Sequence, residues 1–148
     1  MDEKAIYNYK LLTEGIATSG QPTEDELIYI SNAGYSVVIN LGLNNAEYSV
    51  KNESSFFKSK NIKYIHIPVI FDEPKQTELM LFIKTLDSYK DSKVFVHCAA
   101  NKRVSVFITL YRIISLGWPA DKAIKELKKV WLPNEIWQSF IDQQLTSS

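Results

Sequence analysis

The residues best suited to chemistry lie in one short segment, centred on Cys98, the single cysteine of the 148-residue chain. Cys98 follows an apolar run that predicts a buried strand over residues 93–97, and it precedes an apolar helix predicted over residues 103–116. The small residues Ala99 and Ala100 allow backbone N–H groups to turn toward a common centre, where the helix N-terminus adds its positive end. The same location favours the thiolate form of a cysteine. The segment therefore predicts an anion site with a nucleophile at its base.

Further side chains of this segment fit an anion-binding loop. Asn101 suits a backbone position with positive φ, which asparagine tolerates better than most residues. Ser105 places a hydroxyl seven positions after Cys98, and His97 directly precedes the thiol, where we expect it to orient the loop through hydrogen bonds. The alternative interpretation is a buried structural cysteine beside a strand-to-helix turn of no special use. The combination of these residues with an apolar helix favours a functional site.

The elements around this segment alternate between strand and helix, which predicts an α/β fold. We expect a mostly parallel sheet of four or five strands flanked by helices, in a single domain over residues 1–148. Thr23 followed by Glu26 is a capping-box pattern that predicts the start of the first helix. Ligands of such sheets bind beyond the carboxyl ends of the strands, where Cys98 is predicted to lie. The predicted strands are 15–19, 36–41, 62–69 and 93–97, and the predicted helices are 23–34, 45–60, 77–89, 103–116, 119–131 and 134–145.

Composition and charge argue against several classes of partner. Lysine plus arginine and aspartate plus glutamate both total 17, so we expect no bulk attraction to nucleic acid or to an anionic membrane. Two separated histidines and one cysteine provide no zinc-ligand spacing, and no glycine-rich nucleotide fingerprint is present, so we predict no metal and no cofactor. No signal peptide or membrane-length apolar run is visible, which predicts a cytoplasmic protein. The oligomeric state stays open.

On these motifs the chain resembles the cysteine-dependent protein tyrosine and dual-specificity phosphatases. It is most similar to a small bacterial branch of them with an SGQPTEDEL…GYSVVINL opening and a VHCAANKRVSVF loop. The resemblance spans about residues 19–140, including the closing segment 131–137. It implies a phosphatase-like fold and the hydrolysis of phosphate monoesters through a phosphocysteine. The implied partner is a phosphorylated substrate or another small anion.

The resemblance assigns roles residue by residue. Cys98 matches the nucleophile, and Ser105 matches the hydroxyl that helps the thiolate leave when the intermediate is hydrolysed. A general acid is expected on the loop that follows the strand at 62–69, where Asp72 is the first choice and Glu73 the second. The phosphate would be bound by the loop residues Ala99, Ala100, Asn101, Lys102, Arg103 and Val104.

One position departs from the family's pattern of His-Cys, five residues, Arg and then Ser or Thr. Val104 occupies the arginine position and cannot supply the two charge-assisted hydrogen bonds that an arginine gives to a phosphoryl group. Arg103 comes one residue early, and a rotation of roughly 100° per helical residue is expected to point it elsewhere. Lys102 is a candidate point-charge substitute.

This departure leaves two alternatives to a phosphatase. The first is a non-catalytic phosphate- or anion-binding module that kept the loop and lost the arginine. The second is a rhodanese-like sulfurtransferase, in which a cysteine carries a persulfide. Four residues separate Cys98 from Arg103, which is the loop length of that class, although His97 and Ser105 fit the phosphatase pattern better.

Overall fold

The structure is a computed structural model that describes residues 3–13 and 15–146. Its five short strands are β1 (Lys10–Thr13), β2 (Ile16–Ser19), β3 (Val37–Asn40), β4 (Lys63–His66) and β5 (Val94–His97). They form one sheet in the order β1-β2-β5-β3-β4. The β1–β2 pair is antiparallel, and the pairs β2–β5, β5–β3 and β3–β4 are parallel. The predicted α/β class with a mostly parallel sheet is confirmed.

Six α-helices accompany the sheet within the described residues. The first begins with the predicted capping box, since Thr23 N donates to Glu26 Oε1 at 2.9 Å and Glu26 N donates to Thr23 Oγ1 at 3.2 Å. None of the described helices combines the length and the apolar character needed to cross a membrane. The helices are α1 (Glu24–Asn32), α2 (Glu53–Ser59), α3 (Gln76–Ser88), α4 (Lys102–Ile114), α5 (Ala120–Lys128) and α6 (Glu135–Thr146), and a short 3-10 helix spans Glu3–Ala5.

Two hydrophobic clusters cover the two faces of the sheet, because successive strand residues point to opposite sides. Val94 and Val96 of β5 pack in the larger cluster with residues of α3, α4 and α6. Phe95, between them, belongs to the smaller cluster with residues of α1 and α2. Helix α4 is buried at every residue from Arg103 to Tyr111, as its nearly continuous apolar sequence predicts. The loop that precedes α4 is therefore anchored to the most buried helix of the fold.

The predicted helix over residues 45–60 is wrong in its first half. Helix α2 begins only at Glu53, and Asn52 before it has a φ of 64°, in the left-handed region. The preceding segment is a hydrogen-bonded turn, in which Ser49 Oγ donates to the Leu43 carbonyl and Leu43 N donates to the Tyr48 hydroxyl. Side-chain bonds of this kind compete with a helix ladder, and apolar spacing alone does not reveal them.

Candidate active site

The strand register places Cys98 at the centre of the carboxyl edge of the sheet. His97, the last residue of β5, pairs with Ser19 of β2 on one side and with Asn40 of β3 on the other. The pairing extends beyond the strands, since Leu41 N donates to the His97 carbonyl at 2.9 Å. Cys98 follows directly and is 1% exposed. Cys98 thus follows the central strand at the edge where ligands of parallel sheets bind.

The loop after Cys98 turns into α4 at Asn101, whose φ of 64° confirms the predicted left-handed conformation. The Asn101 side chain fixes this turn, because Nδ2 donates to the Asn8 carbonyl at 2.9 Å and to Thr18 Oγ1 at 3.1 Å. The side chain of Asn8 donates in return to the Ala100 carbonyl at 3.0 Å. The loop is therefore held from its β1–β2 side by residues that no sequence pattern had marked.

Glycine is required at position 20 by a close approach to the same loop. A Cβ on Gly20 would lie 2.6 Å from the Ala99 carbonyl oxygen and 2.6 Å from a ring carbon of Tyr7, closer than such atoms can pack. The next residue, Gln21, donates its backbone N–H to that Ala99 oxygen at 2.9 Å. The segment after β2 thus forms one wall of the Cys98 loop.

The Arg103 side chain extends from the first turn of α4 to the carboxyl edge of the sheet. Its Nη1 lies 3.4 Å from the Leu41 carbonyl oxygen and 3.3 Å from the Tyr48 hydroxyl, and its guanidinium carbon lies 5.6 Å from the ring centre of Phe71. Leu41 and Phe71 both follow strands, β3 and β4, at their carboxyl ends. The side chain is long enough to reach this edge from the first turn of α4. Arg103 is only 7% exposed, and no carboxylate forms an ion pair with it within residues 3–13 and 15–146.

The residues on either side of Arg103 point to different surroundings. Val104 is 0% exposed and packs in the larger hydrophobic cluster with Leu41 and Ile67. Lys102 is exposed, and its Nζ lies 5.3 Å from the ring centre of Trp131. Of these three neighbours in sequence, Arg103 is the one that brings a buried cation to the carboxyl edge.

Ser105 is buried and bonded, but not to the thiol. Its Oγ donates to the Lys102 carbonyl at 2.6 Å and accepts from Trp131 Nε1 at 3.1 Å. Thr109 Oγ1 donates to the Ser105 carbonyl one turn later at 2.8 Å. The hydroxyl is therefore tied to the first turn of α4 and to the segment after α5.

The two acid candidates lie on an exposed loop after β4. Asp72 and Glu73 line a cleft with Ile136 and other residues of α6, and neither carboxylate has a hydrogen-bond partner among the residues that the structure describes. The loop itself is anchored, because Trp137 Nε1 donates to the Phe71 carbonyl at 2.7 Å. The structure does not bring these carboxylates into contact with Cys98.

A buried carboxylate that the sequence did not indicate lies beside the loop. Glu53 Oε2 is 2.5 Å from His97 Nε2, and the two side chains are 5% and 0% exposed. Gln21 Nε2 donates to the other oxygen, Glu53 Oε1, at 3.0 Å. On its far side the His97 ring presents Nδ1 to the Cys98 carbonyl at 3.4 Å. His97 therefore contacts both Glu53 and the carbonyl of Cys98.

The pKa shifts of Glu53 and Tyr64 follow from their contacts. Burial raises the pKa of the Glu53 carboxyl, but the charge and the hydrogen bond of His97 act in the opposite direction. Hydrogen bonds from Gln21 and Tyr64 add to the lowering, and the net result is a pKa of Glu53 below its ordinary value. Burial, followed by the Glu53 charge, raises the pKa of Tyr64, so this phenol stays protonated and can donate to the carboxylate. Asn40 Nδ2 in turn donates to the Tyr64 hydroxyl at 2.9 Å.

One sequence signal could have found Glu53. Phe57 is a large apolar residue of the predicted helix over residues 45–60, and residues four positions apart share a helix face, so a buried Phe57 implies that Glu53 faces inward as well. An inward carboxylate needs a partner, and only two histidines exist in the chain. Tyr48, whose hydroxyl contacts Arg103, gives no comparable signal, because it lies in an irregular turn.

Within the described part of the chain, no group of three or more His, Cys, Asp or Glu side chains could hold a metal ion.

The curated relatives match this chain over only part of their own length. The chain is 27% identical over 106 residues to a beta-lactamase hydrolase-like protein of Xylella fastidiosa, which corresponds to 70% of this chain. It spans about a quarter of the length of that relative, 24%.

Solved structures match nearly the whole chain. The DUF442 protein of Shewanella putrefaciens CN-32 has a TM-score of 0.85 at 25% identity and covers 97% of this chain and 95% of its own. The core catalytic domain of the PP-IP phosphatase SIW14 from S. cerevisiae, solved in complex with citrate, has a TM-score of 0.77 at 17% identity. It covers 93% of this chain and 85% of its own, and at this identity it shows the shared fold alone.

The sequence profile described as "DSP-PTPase phosphatase fused to NAD+ Kinase" matches residues 9–138. This range includes all five strands and the whole Cys98 loop. This match extends over well more than half of the sequence, and the predicted phosphatase resemblance is thereby confirmed. The chain belongs to the DSP-PTPase phosphatase family that this profile describes.

Proposed function

We propose that the chain hydrolyses phosphate monoesters through a phosphocysteine on Cys98, with Arg103 as the guanidinium that binds the phosphoryl group. The Cys98 thiolate attacks phosphorus, the P–O ester bond breaks, and the leaving oxygen takes a proton from Asp72. Water then attacks the phosphocysteine and gives a proton to the Asp72 carboxylate, the P–S bond breaks, and inorganic phosphate leaves while the thiolate is restored. Membership of the phosphatase family supports this reaction class.

The proposal rests mainly on one observation: the Arg103 guanidinium is buried and has no ion-pair partner among the described residues. A guanidinium that is 7% exposed requires an anion or a full set of acceptors, because the desolvation of a charge is costly. Within the described residues, Arg103 contacts two oxygen atoms, the Tyr48 hydroxyl at 3.3 Å and the Leu41 carbonyl at 3.4 Å, both through Nη1. A guanidinium carries five N–H donors, so donors remain for a phosphoryl group at this edge.

The surroundings of Val104 also support the assignment of Arg103 as the phosphoryl-binding guanidinium. Its side chain belongs to the hydrophobic cluster, so an arginine at position 104 would bury its charge among apolar residues. Four residues between Cys98 and Arg103 are then the loop of this chain, one fewer than in the family's usual pattern. The backbone amides of Ala99, Ala100 and Asn101 and the start of α4 at Lys102 would complete the anion site.

Two alternatives have a specific observation in their favour. Asp72 is exposed and makes no contact with the loop, which favours a non-catalytic anion-binding module that lacks a working acid. The four-residue spacing to Arg103 favours sulfur transfer through a Cys98 persulfide. The family match favours the phosphatase over both.

The experiment is turnover of an aryl phosphate by the parent protein and by Cys98→Ser. The proposal predicts hydrolysis by the parent and none by the variant. Binding of inorganic phosphate without turnover would support the anion-binding module instead. Formation of thiocyanate from thiosulfate and cyanide, with no release of phosphate from the ester, would support the sulfurtransferase.

A further inference from the structure

A cavity of about 240 Å³ lies along one face of α4, between that helix, the β1–β2 pair and α5 with its flanking residues. Helix α4 contributes Ser105, Thr109 and Arg112, which share a face because they follow one another at intervals of four and three positions. Cys98 and Arg103 do not line the cavity, so it is not the site of the reaction proposed above. Its volume is below the roughly 300–1,000 Å³ of pockets for drug-sized ligands, which suits a small occupant.

Asn101 brings an unsatisfied acceptor to this cavity. Its Nδ2 donates to the Asn8 carbonyl at 2.9 Å and to Thr18 Oγ1 at 3.1 Å, which fixes the orientation of the amide, because only the NH₂ group can donate to a carbonyl. Oδ1 is buried and has no hydrogen-bond partner within the described residues, and Asn101 as a whole is 1% exposed. A buried acceptor of this kind costs free energy until a donor reaches it. Asn101 lines the cavity, so an occupant that carries a donor can supply the partner.

Two threonine hydroxyls extend this row of acceptors. Thr18 Oγ1 donates to the Lys10 carbonyl at 3.2 Å, and Thr109 Oγ1 donates to the Ser105 carbonyl at 2.8 Å. Each hydroxyl has thereby used its only proton and presents lone pairs to an occupant. Both threonines line the cavity, whose polar wall therefore favours a molecule with several hydrogen-bond donors.

Arg112 provides a cation with free donors at another part of the wall. The side chain is half-buried, and its guanidinium carbon lies 4.3 Å from the ring centre of Trp118. Within residues 3–13 and 15–146 the guanidinium has no ion-pair partner, and five N–H donors are more than the ring contact can use. Burial lowers the pKa of Arg112, and the charge of Glu126 offsets this effect only in part. The guanidinium is thus desolvated without a bonded anion.

The charges around the cavity favour an anionic occupant. They belong to Lys10, Arg112, Glu126 and Lys129. Glu126 Oε1 lies 3.1 Å from Lys129 Nζ, so this carboxylate is already paired, and the other two side chains leave an excess of positive charge. A positive wall disfavours an ammonium group, so the donors that the acceptors require are hydroxyls.

The spacing along α4 sets the length of the occupant. The Cα atoms of Asn101 and Arg112 are about 16 Å apart along the helix axis, at about 1.5 Å per residue. The arginine side chain covers part of this distance. A chain of several atoms, with an anionic group at one end and hydroxyls along the rest, fits the remainder.

We propose that this cavity binds an extended, polyhydroxylated carboxylate, with its carboxylate on Arg112 and its hydroxyls on Thr109 and Asn101. The inference goes beyond the proposed function and does not depend on it. Asn101 also turns the Cys98 loop into α4, so an occupant contacts that loop from the side of β1.

The indole N–H signals of the three tryptophans provide a direct test by NMR. The Trp118 signal is assigned with Trp118→Phe, and the protein is titrated with gluconate, with sorbitol and with hexanoate. Gluconate carries both the charge and the hydroxyls, whereas each of the other six-carbon probes lacks one of them. We expect a saturable shift of the Trp118 signal with gluconate and binding at least about tenfold weaker for sorbitol and for hexanoate. The Trp137 signal, whose N–H is bonded to the Phe71 carbonyl, should stay in place.

Two variants test the assigned contacts. Arg112→Gln is expected to weaken gluconate binding about tenfold, and Thr109→Val, which keeps the shape of the side chain, about fivefold. Lys128→Gln is the matched control, because it removes one positive charge from an exposed position of α5 that does not line the cavity, and it should bind gluconate as the parent does. Circular dichroism checks that each variant is folded.

Three results would overturn the inference. They are a Trp118 signal that gluconate does not shift, sorbitol or hexanoate binding as tightly as gluconate, and a folded Arg112→Gln protein with the parent's affinity. No phosphate ester takes part in these titrations. Their outcome is therefore separate from whether the protein hydrolyses such esters.

Discussion

Arg103 and Leu41 join the start of α4 to the end of β3, since Nη1 of Arg103 donates to the Leu41 carbonyl at 3.4 Å. The amide of Leu41 donates to the His97 carbonyl at 2.9 Å. Leu41 therefore lies between the guanidinium and the residue that precedes Cys98. A buried cation and a candidate nucleophile are thus brought to one edge of the sheet by a single intervening backbone segment.

Removal of the Arg103 guanidinium should abolish most of the activity. Arg103→Ala is expected to lower kcat/KM for an aryl phosphate by about 10²–10³, as for the loss of an oxyanion donor. Arg103→Lys should recover part of it, because the charge returns without the planar fork. Lys102→Ala is the control and should have a small effect, since Lys102 lies on Trp131. A larger loss in Lys102→Ala than in Arg103→Ala would contradict the assignment.

An arginine at position 104 should destabilise the fold and should not provide the phosphoryl-binding guanidinium of the family's pattern. Val104→Arg places a guanidinium among apolar residues and is expected to lower the free energy of unfolding by about 3–5 kcal/mol. Val104→Ile is the matched control, with a cost of about 1–3 kcal/mol from overpacking. Urea denaturation measures both. A Val104→Arg protein as stable as the parent and more active would show that Val104 stands in the arginine position.

The Glu53–His97 pair should make stability depend on acid pH. The pKa of Glu53 is lowered in the folded protein from an ordinary value of 4.5, so its ionised form stabilises the fold. This contribution is complete above the ordinary value and is lost as pH falls through the lowered one. The difference in the free energy of unfolding between the parent and Glu53→Gln should therefore shrink on acidification. A difference that stays constant from neutral pH to acid pH would argue against a charged pair.

Asp72 should matter most for poor leaving groups, if it donates the proton to the leaving oxygen. Asp72→Asn is expected to slow the hydrolysis of an alkyl phosphate far more than that of a nitrophenyl phosphate, whose leaving group needs no acid. Glu73→Gln, on the same loop, is the matched control. Equal losses on both substrates would exclude Asp72 as the acid, and a selective loss in Glu73→Gln would move the role to Glu73.

The sequence was informative wherever local pattern decides the structure. The apolar run before Cys98 and the apolar helix after it predicted the edge at which the thiol lies, and the type of residue 101 predicted its left-handed backbone. Thr23 and Glu26 predicted a helix start because a capping box uses only neighbouring residues. Each of these features depends on a few consecutive side chains.

The rest depends on contacts that no local pattern contains. The reach of Arg103 to the Leu41 carbonyl depends on a long flexible side chain, and no local pattern specifies its partner. Glu53 and His97 meet only because α2 packs beside the central strand. The turn of residues 43–49, with its hydroxyl hydrogen bonds, displaced a helix that apolar spacing had favoured.

The most direct test of the central claim is the detection of the phosphocysteine itself. The parent protein is mixed with an aryl phosphate, quenched in acid and analysed by peptide mass spectrometry. We predict one phosphoryl group on the peptide that contains Cys98 and none in Cys98→Ser, and we expect it to accumulate in Ser105→Ala if Ser105 assists departure of the thiolate. Hydrolysis of the ester with no adduct on Cys98 and with full activity in Cys98→Ser would contradict the account.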